Sequence, residues 1–357
     1  MDKSKFIAQV LERIQASEGA GFRMDREKIL DKYRREPGES GPLAIKVLSV
    51  LGGILATVAF GAFLGFLDIF DSNPAMLGLG SILLVGSMAL QRIYDSLVLD
   101  ALGISLYILG MLLIIFGLGE FRLHGNSIAL LVLGLALITL LVSRNYLLCF
   151  ISTLVLAADF LYLILENELP DMIHAYVAFF SLALAHCMLN EAKYLSAPPL
   201  ISRIYGPLRA GLIFSLLFGL VPIGIVGMAQ MDSDRIWISA LAPLAIILYQ
   251  VPSILKILGT AKRDRTTAYI LCVLALLPTL FAPALAGALM IVLLSFKINY
   301  RSGLVLGILA LVYFVIQYYY DLNLSLLIKS MLLLGSGLLF LLYYLFFTKR
   351  TKPHEKI

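Results

Sequence analysis

The stretch that decides the fold is TAYILCVLALLPTLFAPALAGALMIVLLSF, residues 267 to 296. It is apolar throughout, and it is longer than the roughly 20 residues that one helix needs to cross about 30 Å of hydrocarbon. Two prolines near its centre, Pro278 and Pro283, interrupt any single helix drawn through it. The chain therefore crosses a membrane here once, twice as a pair of short helices, or not fully, as a re-entrant hairpin buried in protein.

The composition of the whole chain predicts an all-α polytopic membrane protein. Of the 357 residues, 60% are hydrophobic and only 14% are charged, and a soluble domain cannot bury so much apolar surface. The three cysteines, Cys149, Cys187 and Cys272, lie far apart in apolar runs, a spacing that favours neither a disulfide framework nor a zinc site. The charged first 46 residues lack the apolar core of a cleavable signal, so targeting is expected to come from the first membrane helix.

Long apolar runs alternate with short polar loops from Val47 onward, and each run is about the length of a membrane helix. Besides 267–296, the predicted runs are 47–67, 75–91, 97–118, 127–143, 146–166, 174–194, 208–229, 237–258, 303–319 and 324–347. The chain therefore makes eleven crossings if residues 267–296 cross once, and twelve if they cross twice.

Charges in the loops favour twelve crossings, with both termini in the cytoplasm. Short cytoplasmic loops carry an excess of Lys and Arg, and basic and acidic loops alternate along this chain. The acidic loops are 68–74, 166–172 and 231–234; the basic segments are the N-terminus, Arg92, Arg144, the loop with Lys193, Arg203 and Arg209, residues 256–265, Lys297 with Arg301, and the tail. All basic segments lie on one side only if the 267–296 stretch turns near TLFAP, residues 279–283. Short, proline-interrupted segments of this kind also line the binding sites of many transporters, although a tilted or thinned pair explains them equally.

Three parts of the chain follow from this pattern. Residues 1–46 contain apolar residues at helical spacing among charges, which predicts a cytoplasmic amphipathic helical segment, a short hairpin. That hairpin rests on the membrane surface or on the protein's own loops, or it docks another protein. Residues 47–347 form the transmembrane helical bundle, and residues 348–357 form a basic cytoplasmic tail.

Small residues in the first crossing predict close helix packing. Gly53, Thr57, Gly61 and Gly65 fall every fourth residue on one face, a spacing that lets a neighbouring backbone approach closely. Packing within the bundle and a homodimer contact are both compatible with this stripe.

Ionisable residues inside the membrane are the first candidates for function, because they are costly unless paired or hydrated. Asp159, Tyr162 and Glu166 share one face of a predicted helix. Lys329, in the last apolar run, enters its helix from the same side and lies at a similar depth. We predict a substrate or ion pathway at these four residues, with a Lys329–Asp159 ion pair as a hypothesis. A purely structural pair, or a lysine that extends to the lipid headgroups, explains the same residues.

A second polar cluster is predicted near the cytoplasmic side. His186 and Asn190 share a face at i+4, Glu191 follows, and Asp95 and Asp100 lie at a neighbouring boundary. A histidine beside carboxylates can relay protons. The alternative is that these residues mark helix ends that hydrogen-bond to adjacent loops.

Motifs of membrane enzymes are not found in the sequence. It contains no H-E-x-x-H zinc motif, no G-x-x-x-x-G-K-[ST] phosphate loop and no G-x-S-x-G nucleophile elbow. Only four histidines are present, so a histidine metal site is not expected. We therefore assign no catalytic residue, metal or cofactor, and we expect membrane lipids, not nucleic acid, as partners.

One resemblance covers most of the chain after residue 40. The segments YYYDLNLSLLIKSMLLLGSGLLFL (318–341), KINYRSGLVLGILAL (297–311) and LGGILATVAFGAFLGFL (51–67) resemble a family of uncharacterised bacterial inner-membrane proteins, domain-of-unknown-function family 4401. The resemblance implies a multi-pass protein of the bacterial inner membrane, often encoded beside a second small membrane protein named for a GDYXXLXY motif. It implies no activity and no catalytic residues.

Three functions remain open from the sequence. The bundle transports or binds a small or lipid-like substrate through its intramembrane polar residues, or it is a non-catalytic membrane subunit or scaffold for a partner membrane protein. A lipid-processing membrane enzyme is the third alternative. Such an enzyme needs polar residues grouped at one membrane face, and only the cluster near His186 offers such a group.

Overall fold

The computed structural model describes residues 43–66, 72–93, 97–121, 124–143, 145–224, 235–257 and 262–321. In the C-terminal run it describes residues 327, 330, 331, 334, 335, 337, 338 and 341 as well. All regular elements in these ranges are helices, as composition predicts. The chain divides into two compact units, Met1–Leu113 and Ile114–Ile357.

Twelve α-helices lie within the described ranges. They are α1 (Leu43–Phe66), α2 (Asn73–Ile93), α3 (Leu97–Glu120), α4 (Gly125–Val142), α5 (Tyr146–Glu166), α6 (Met172–Leu189), α7 (Glu191–Leu195), α8 (Pro199–Gly224), α9 (Ile238–Ile257), α10 (Lys262–Leu276), α11 (Pro283–Lys297) and α12 (Arg301–Asp321). The predicted segment 1–46, the run 324–347 and the tail 348–357 lie wholly or largely outside the described residues.

Seven of the described helices are long and apolar enough to cross a membrane. These spans are Asn73–Ile93, Leu99–Glu120, Gly125–Val142, Tyr146–Glu166, Met172–Leu189, Pro199–Gly224 and Arg301–Tyr320. Four shorter apolar segments, Leu55–Phe66, Ile238–Ser253, Ala268–Phe281 and Pro283–Lys297, accompany them. The protein is therefore a helical membrane protein.

The stretch 267–296 is divided near its prolines. Helix α10 ends at Leu276, a 3-10 turn covers Leu277–Phe281, and α11 begins at Pro283. Proline has no N–H to donate and fits the first position of a helix, so a new helix starts where the old one cannot continue. Helix α11 has 15 residues, or about 22 Å of length. Helix α10 starts at Lys262, before the predicted apolar run.

In the first unit, α1, α2 and α3 share a small core around Leu64, Met76 and Leu109. The closest backbone approach lies between α2 and α3, where a Cβ atom on Gly110 would fall 2.9 Å from the Gly80 carbonyl oxygen. Glycine at residue 110 therefore allows the two backbones to approach closely, a contact that the sequence pattern does not indicate.

The predicted small-residue stripe of α1 has one described packing contact. A Cβ on Gly61 would lie 3.7 Å from Leu109 Cδ1, which is ordinary van der Waals contact. Gly65 is exposed, Thr57 is partly buried, and the surroundings of Gly53 lie outside the described residues. The role of the stripe in helix packing remains a prediction.

In the second unit, helix α8 lies at the centre. It packs against α4, α5, α6, α11 and α12, and its buried face includes Ile213, Leu216 and Leu220. Gly219 lies against the Tyr176 ring of α6, and Gly287 of α11 lies against Leu220. The core of this unit is therefore formed by helices that are far apart in the sequence.

The sequence prediction of where α8 begins is wrong. The helix begins at Pro199 and not near residue 208, so Arg203 and Arg209, predicted to lie in a loop, are helical. Pro199 suits the first helical position. The side chains of Ile204 and Tyr205, in the added N-terminal segment of the helix, are buried. The predicted run 174–194 is likewise divided, because α6 ends at Leu189 and the short helix α7 follows.

Candidate functional site

Asp159 is the most deeply buried carboxylate among the described residues. It lies on α5 on the buried face that also carries Ser152, and it is 7% exposed. No described residue hydrogen-bonds to its Oδ2 atom, which is itself buried. Glu166, at the end of α5, is seven residues further along, so Asp159 lies about 10 Å inside that end of the helix. An ionised carboxylate at this depth is costly unless a cation or a hydrogen-bond donor satisfies its oxygens.

Tyr162 and Glu166 extend the face of Asp159 towards the end of α5. Both are exposed, and both lie against Gly125 at the start of α4, where a Cβ would fall 2.7 Å from the Tyr162 hydroxyl. The side chains of Asn126 and Asn167 exchange two hydrogen bonds of 2.8 Å, which join the same ends of α4 and α5. The three predicted residues therefore form a polar line from an exposed end into the bundle.

Lys329, the fourth residue of the predicted pathway, lies outside the described residues. The Lys329–Asp159 ion pair therefore stays a hypothesis. Its premise, an Asp159 oxygen without a partner among the described residues, is present.

The described residues of the predicted inner cluster belong to different helices and make different contacts. His186 is exposed, and Asn190 caps the C-terminus of α6 with its backbone N–H and its side-chain Nδ2, both of which donate to the His186 carbonyl oxygen. Asp100 lies in α3 in the first unit, and its carbonyl oxygen is 3.5 Å from Gln91 Nε2. Asp95 lies outside the described residues. Of this set, His186, Asn190 and Glu191 are brought together by the short connection between α6 and α7.

Glu191 belongs to a site that the sequence analysis missed, centred on Arg209. The Arg209 guanidinium donates to Glu191 Oε1 at 2.8 Å and to the Tyr205 hydroxyl at 3.2 Å. Its central carbon lies 3.8 Å from the centre of the Tyr300 ring, a cation–π contact. The side chains of Arg209 and Glu191 are 15% and 30% exposed, so this ion pair is largely removed from water.

The turn between α11 and α12 presents Tyr300 to Arg209. Asn299 in this turn has a φ of 56°, a left-handed conformation that asparagine tolerates better than most residues. The Tyr205 ring in turn stacks on Tyr194 of α7, with ring centres 5.9 Å apart. One arginine therefore connects α7, α8 and the α11–α12 turn.

The two ends of the second unit differ in charge. Tyr146, Glu191, Arg209 and Tyr300 meet at one end, where Lys193, Arg203, Arg209, Lys297 and Arg301 accompany Glu191. At the opposite end, the described charged residues of the α5–α6 and α8–α9 connections are Glu166, Glu168 and Asp171 against Arg235. The first end is therefore basic and the second acidic.

The described residues contain His, Cys, Asp and Glu side chains, the usual protein ligands of metal ions. No cluster of three or more His, Cys, Asp or Glu side chains there is arranged to hold a metal ion. The Asp159 carboxylate is an acceptor that suits a cationic or hydrogen-bond-donating group, whereas the Arg209 guanidinium already has its anionic partner in Glu191.

A family model described as a domain of unknown function (DUF4401) covers residues 42–350. No curated protein and no solved structure matches the chain.

Proposed function

Because this chain belongs to the DUF4401 family, which carries no assigned activity, we propose a function from its own buried residues. The protein binds, and by binding transports, a small or lipid-like substrate through polar side chains inside its helix bundle. Asp159 is the central ligand of that site, and Tyr162 and Glu166 line the approach to it from the exposed end of α5.

The burial of Asp159 supports this proposal more than any other observation. Its Oδ2 atom has no partner among the described residues, and an intramembrane ionisable residue is a functional candidate by default. A carboxylate offers only acceptors, so the group that satisfies it is cationic or a hydrogen-bond donor. That group is a proton, a cation, an amine or hydroxyl of the substrate, or Lys329.

A hydrophobic carbodiimide, which modifies protonated carboxyl groups in apolar surroundings, tests the state of Asp159. We expect peptide mass spectrometry of the treated protein in nanodiscs to find the adduct on Asp159, and we expect Asp159→Asn to abolish it. Asp171, an exposed carboxylate, is the internal control and should remain unmodified.

The Lys329→Met variant distinguishes an Asp159 that is free to bind a ligand from an Asp159 that is permanently paired with Lys329. If Lys329 pairs with Asp159 permanently, the adduct is absent from the wild type and appears only in the Lys329→Met variant, which contradicts the binding role. Absence of the adduct from both proteins would show that Asp159 is not a free carboxyl group in apolar surroundings.

The proposal includes twelve crossings, with both termini in the cytoplasm of a bacterial cell and the bundle in its inner membrane. The basic end of the second unit supports this orientation, because basic residues favour the cytoplasmic side. The division of residues 267–296 into α10 and α11 supports two short crossings there. A small membrane protein encoded nearby remains a proposed partner.

Impermeant maleimide labelling of single cysteines, in a background without the three native cysteines, tests this topology. We expect Glu168→Cys to react in intact cells, and Ser196→Cys and Thr351→Cys to react only after permeabilisation. The arrangement requires Ser196 and Thr351 on the same side because an even number of crossings separates them. Reaction of Thr351→Cys from outside would mean that residues 267–296 cross once.

A further inference from the structure

Helices α6 and α9 lie side by side and run in the same direction. Their N-terminal ends are joined twice, by His174 Nδ1 and Ser239 Oγ at 2.6 Å and by the Asp171–Arg235 ion pair at 2.7 Å. The two helices also pack against each other within the large core of the second unit. Residues at equal distances from His174 and Ser239 therefore lie at similar heights along this pair.

Three buried polar atoms of α6 and α9 have no hydrogen-bond partner among the described residues. They are His174 Nε2, Ser181 Oγ and Gln250 Oε1, and the three side chains are fully or almost fully buried. Ser181 follows His174 by seven residues and Gln250 follows Ser239 by eleven, intervals that return to the same helix face. We call this set, with Ser239, the α6–α9 seam.

The bend of the Gln250 side chain, together with the helix rise, brings Gln250 Oε1 towards the level of Ser181. Ser181 lies about 10 Å beyond His174, and the Gln250 backbone lies about 16 Å beyond Ser239. The Gln250 side chain bends back, however, because its Nε2 donates to the Ile246 carbonyl oxygen at 3.2 Å. Its free Oε1 acceptor is therefore close to the height of the Ser181 hydroxyl.

We propose that the α6–α9 seam binds water inside the bundle, with a molecule bridging Ser181 Oγ and Gln250 Oε1. Water both donates and accepts, so it can satisfy a hydroxyl and an amide oxygen that do not reach each other directly. Buried waters in proteins occupy such sites and make about three hydrogen bonds each. Leaving both polar atoms unsatisfied instead would be costly.

Bound water gives the second unit a polar site separate from Asp159. The seam lies between α6 and α9, whereas Asp159 belongs to α5, and neither Ser181 nor Gln250 belongs to the proposed substrate site. His174 Nε2 offers a further hydrogen-bonding position at the N-terminal end of the seam. The water-binding role of the seam is therefore independent of the proposed transport, and each can be tested without the other.

A double-mutant cycle tests the bridge. We expect Ser181→Ala and Gln250→Met each to lower the melting temperature of the purified protein by about 3 °C or more. The double variant should lose no more than the worse single variant, because either change already removes the water. The control cycle pairs Gln250→Met with Ser215→Ala, whose buried hydroxyl donates to Gly211 within α8; these losses should add. Additive losses in the Ser181–Gln250 cycle would overturn the bridge.

Radiolytic hydroxyl labelling of the wild type tests the same water without any variant. Ile246 faces the seam, and Leu244 lies two residues away on the opposite side of α9; both are 7% exposed. Radicals formed from water in the seam should label Ile246 several-fold faster than Leu244. Equal labelling rates would contradict a hydrated seam.

Discussion

Replacing Arg209 by Met should lower the free energy of unfolding by about 3 kcal/mol. The guanidinium makes a charge-assisted hydrogen bond to Glu191, and such bonds contribute about 1.5–3 kcal/mol. Its cation–π contact with Tyr300 adds about 0.5–2 kcal/mol. Methionine keeps most of the aliphatic packing but leaves the Glu191 carboxylate without its cation. Unfolding in mixed detergent micelles, followed by circular dichroism, measures the change.

Arg235→Met is the matched control for Arg209→Met. Arg235 also forms an arginine–carboxylate pair of 2.7 Å, but the side chains of Arg235 and Asp171 are 56% and 52% exposed. Exposed pairs contribute about 0–1 kcal/mol, so this variant should be nearly as stable as the wild type. Arg209→Lys should recover only part of the loss, because lysine keeps the charge without the planar stacking surface. Equal stability of the Met variants at 209 and 235 would show that the buried cluster is not stabilising.

The helices could be predicted from the sequence because a membrane helix is indicated by its own residues, without knowledge of the tertiary structure. Twenty apolar residues between polar loops suffice to indicate a span, and the positions of Pro278 and Pro283 indicated the break between α10 and α11. Where a helix includes polar residues, the pattern of apolar runs predicted the wrong helix boundary. Arg203 and Arg209 were assigned to a loop because they are charged, yet α8 buries the neighbouring Tyr205 against other helices.

The sites were less predictable than the helices. The spacing of Asp159, Tyr162 and Glu166 identified a shared face because all three belong to one helix. The Arg209 cluster could not be identified in this way, since Glu191 and Tyr300 come from elements that only tertiary packing brings together. Its one local signal is the i+4 spacing of Tyr205 and Arg209, which many helices share by chance. The α6–α9 seam likewise depends on two helices that are 65 residues apart at the His174–Ser239 contact.

Replacing Asp159 by Asn should remove a bound ligand from the protein. Asparagine has nearly the same volume but carries no charge, so the bundle can pack as before while the attraction for a cationic group is lost. We expect ligand occupancy to fall by about tenfold or more, which corresponds to about 1.4 kcal/mol of binding free energy. Asp171→Asn, at an exposed carboxylate of the same acidic end, should keep the ligand.

Native mass spectrometry of the three proteins, purified gently from their own membrane, measures this directly. The binding role of Asp159 predicts a small or lipid-like ligand on the wild type and on Asp171→Asn, and its loss from Asp159→Asn. The same ligand on all three proteins would contradict that role. So would a stoichiometric protein partner with no such ligand, which would favour a non-catalytic subunit or scaffold instead.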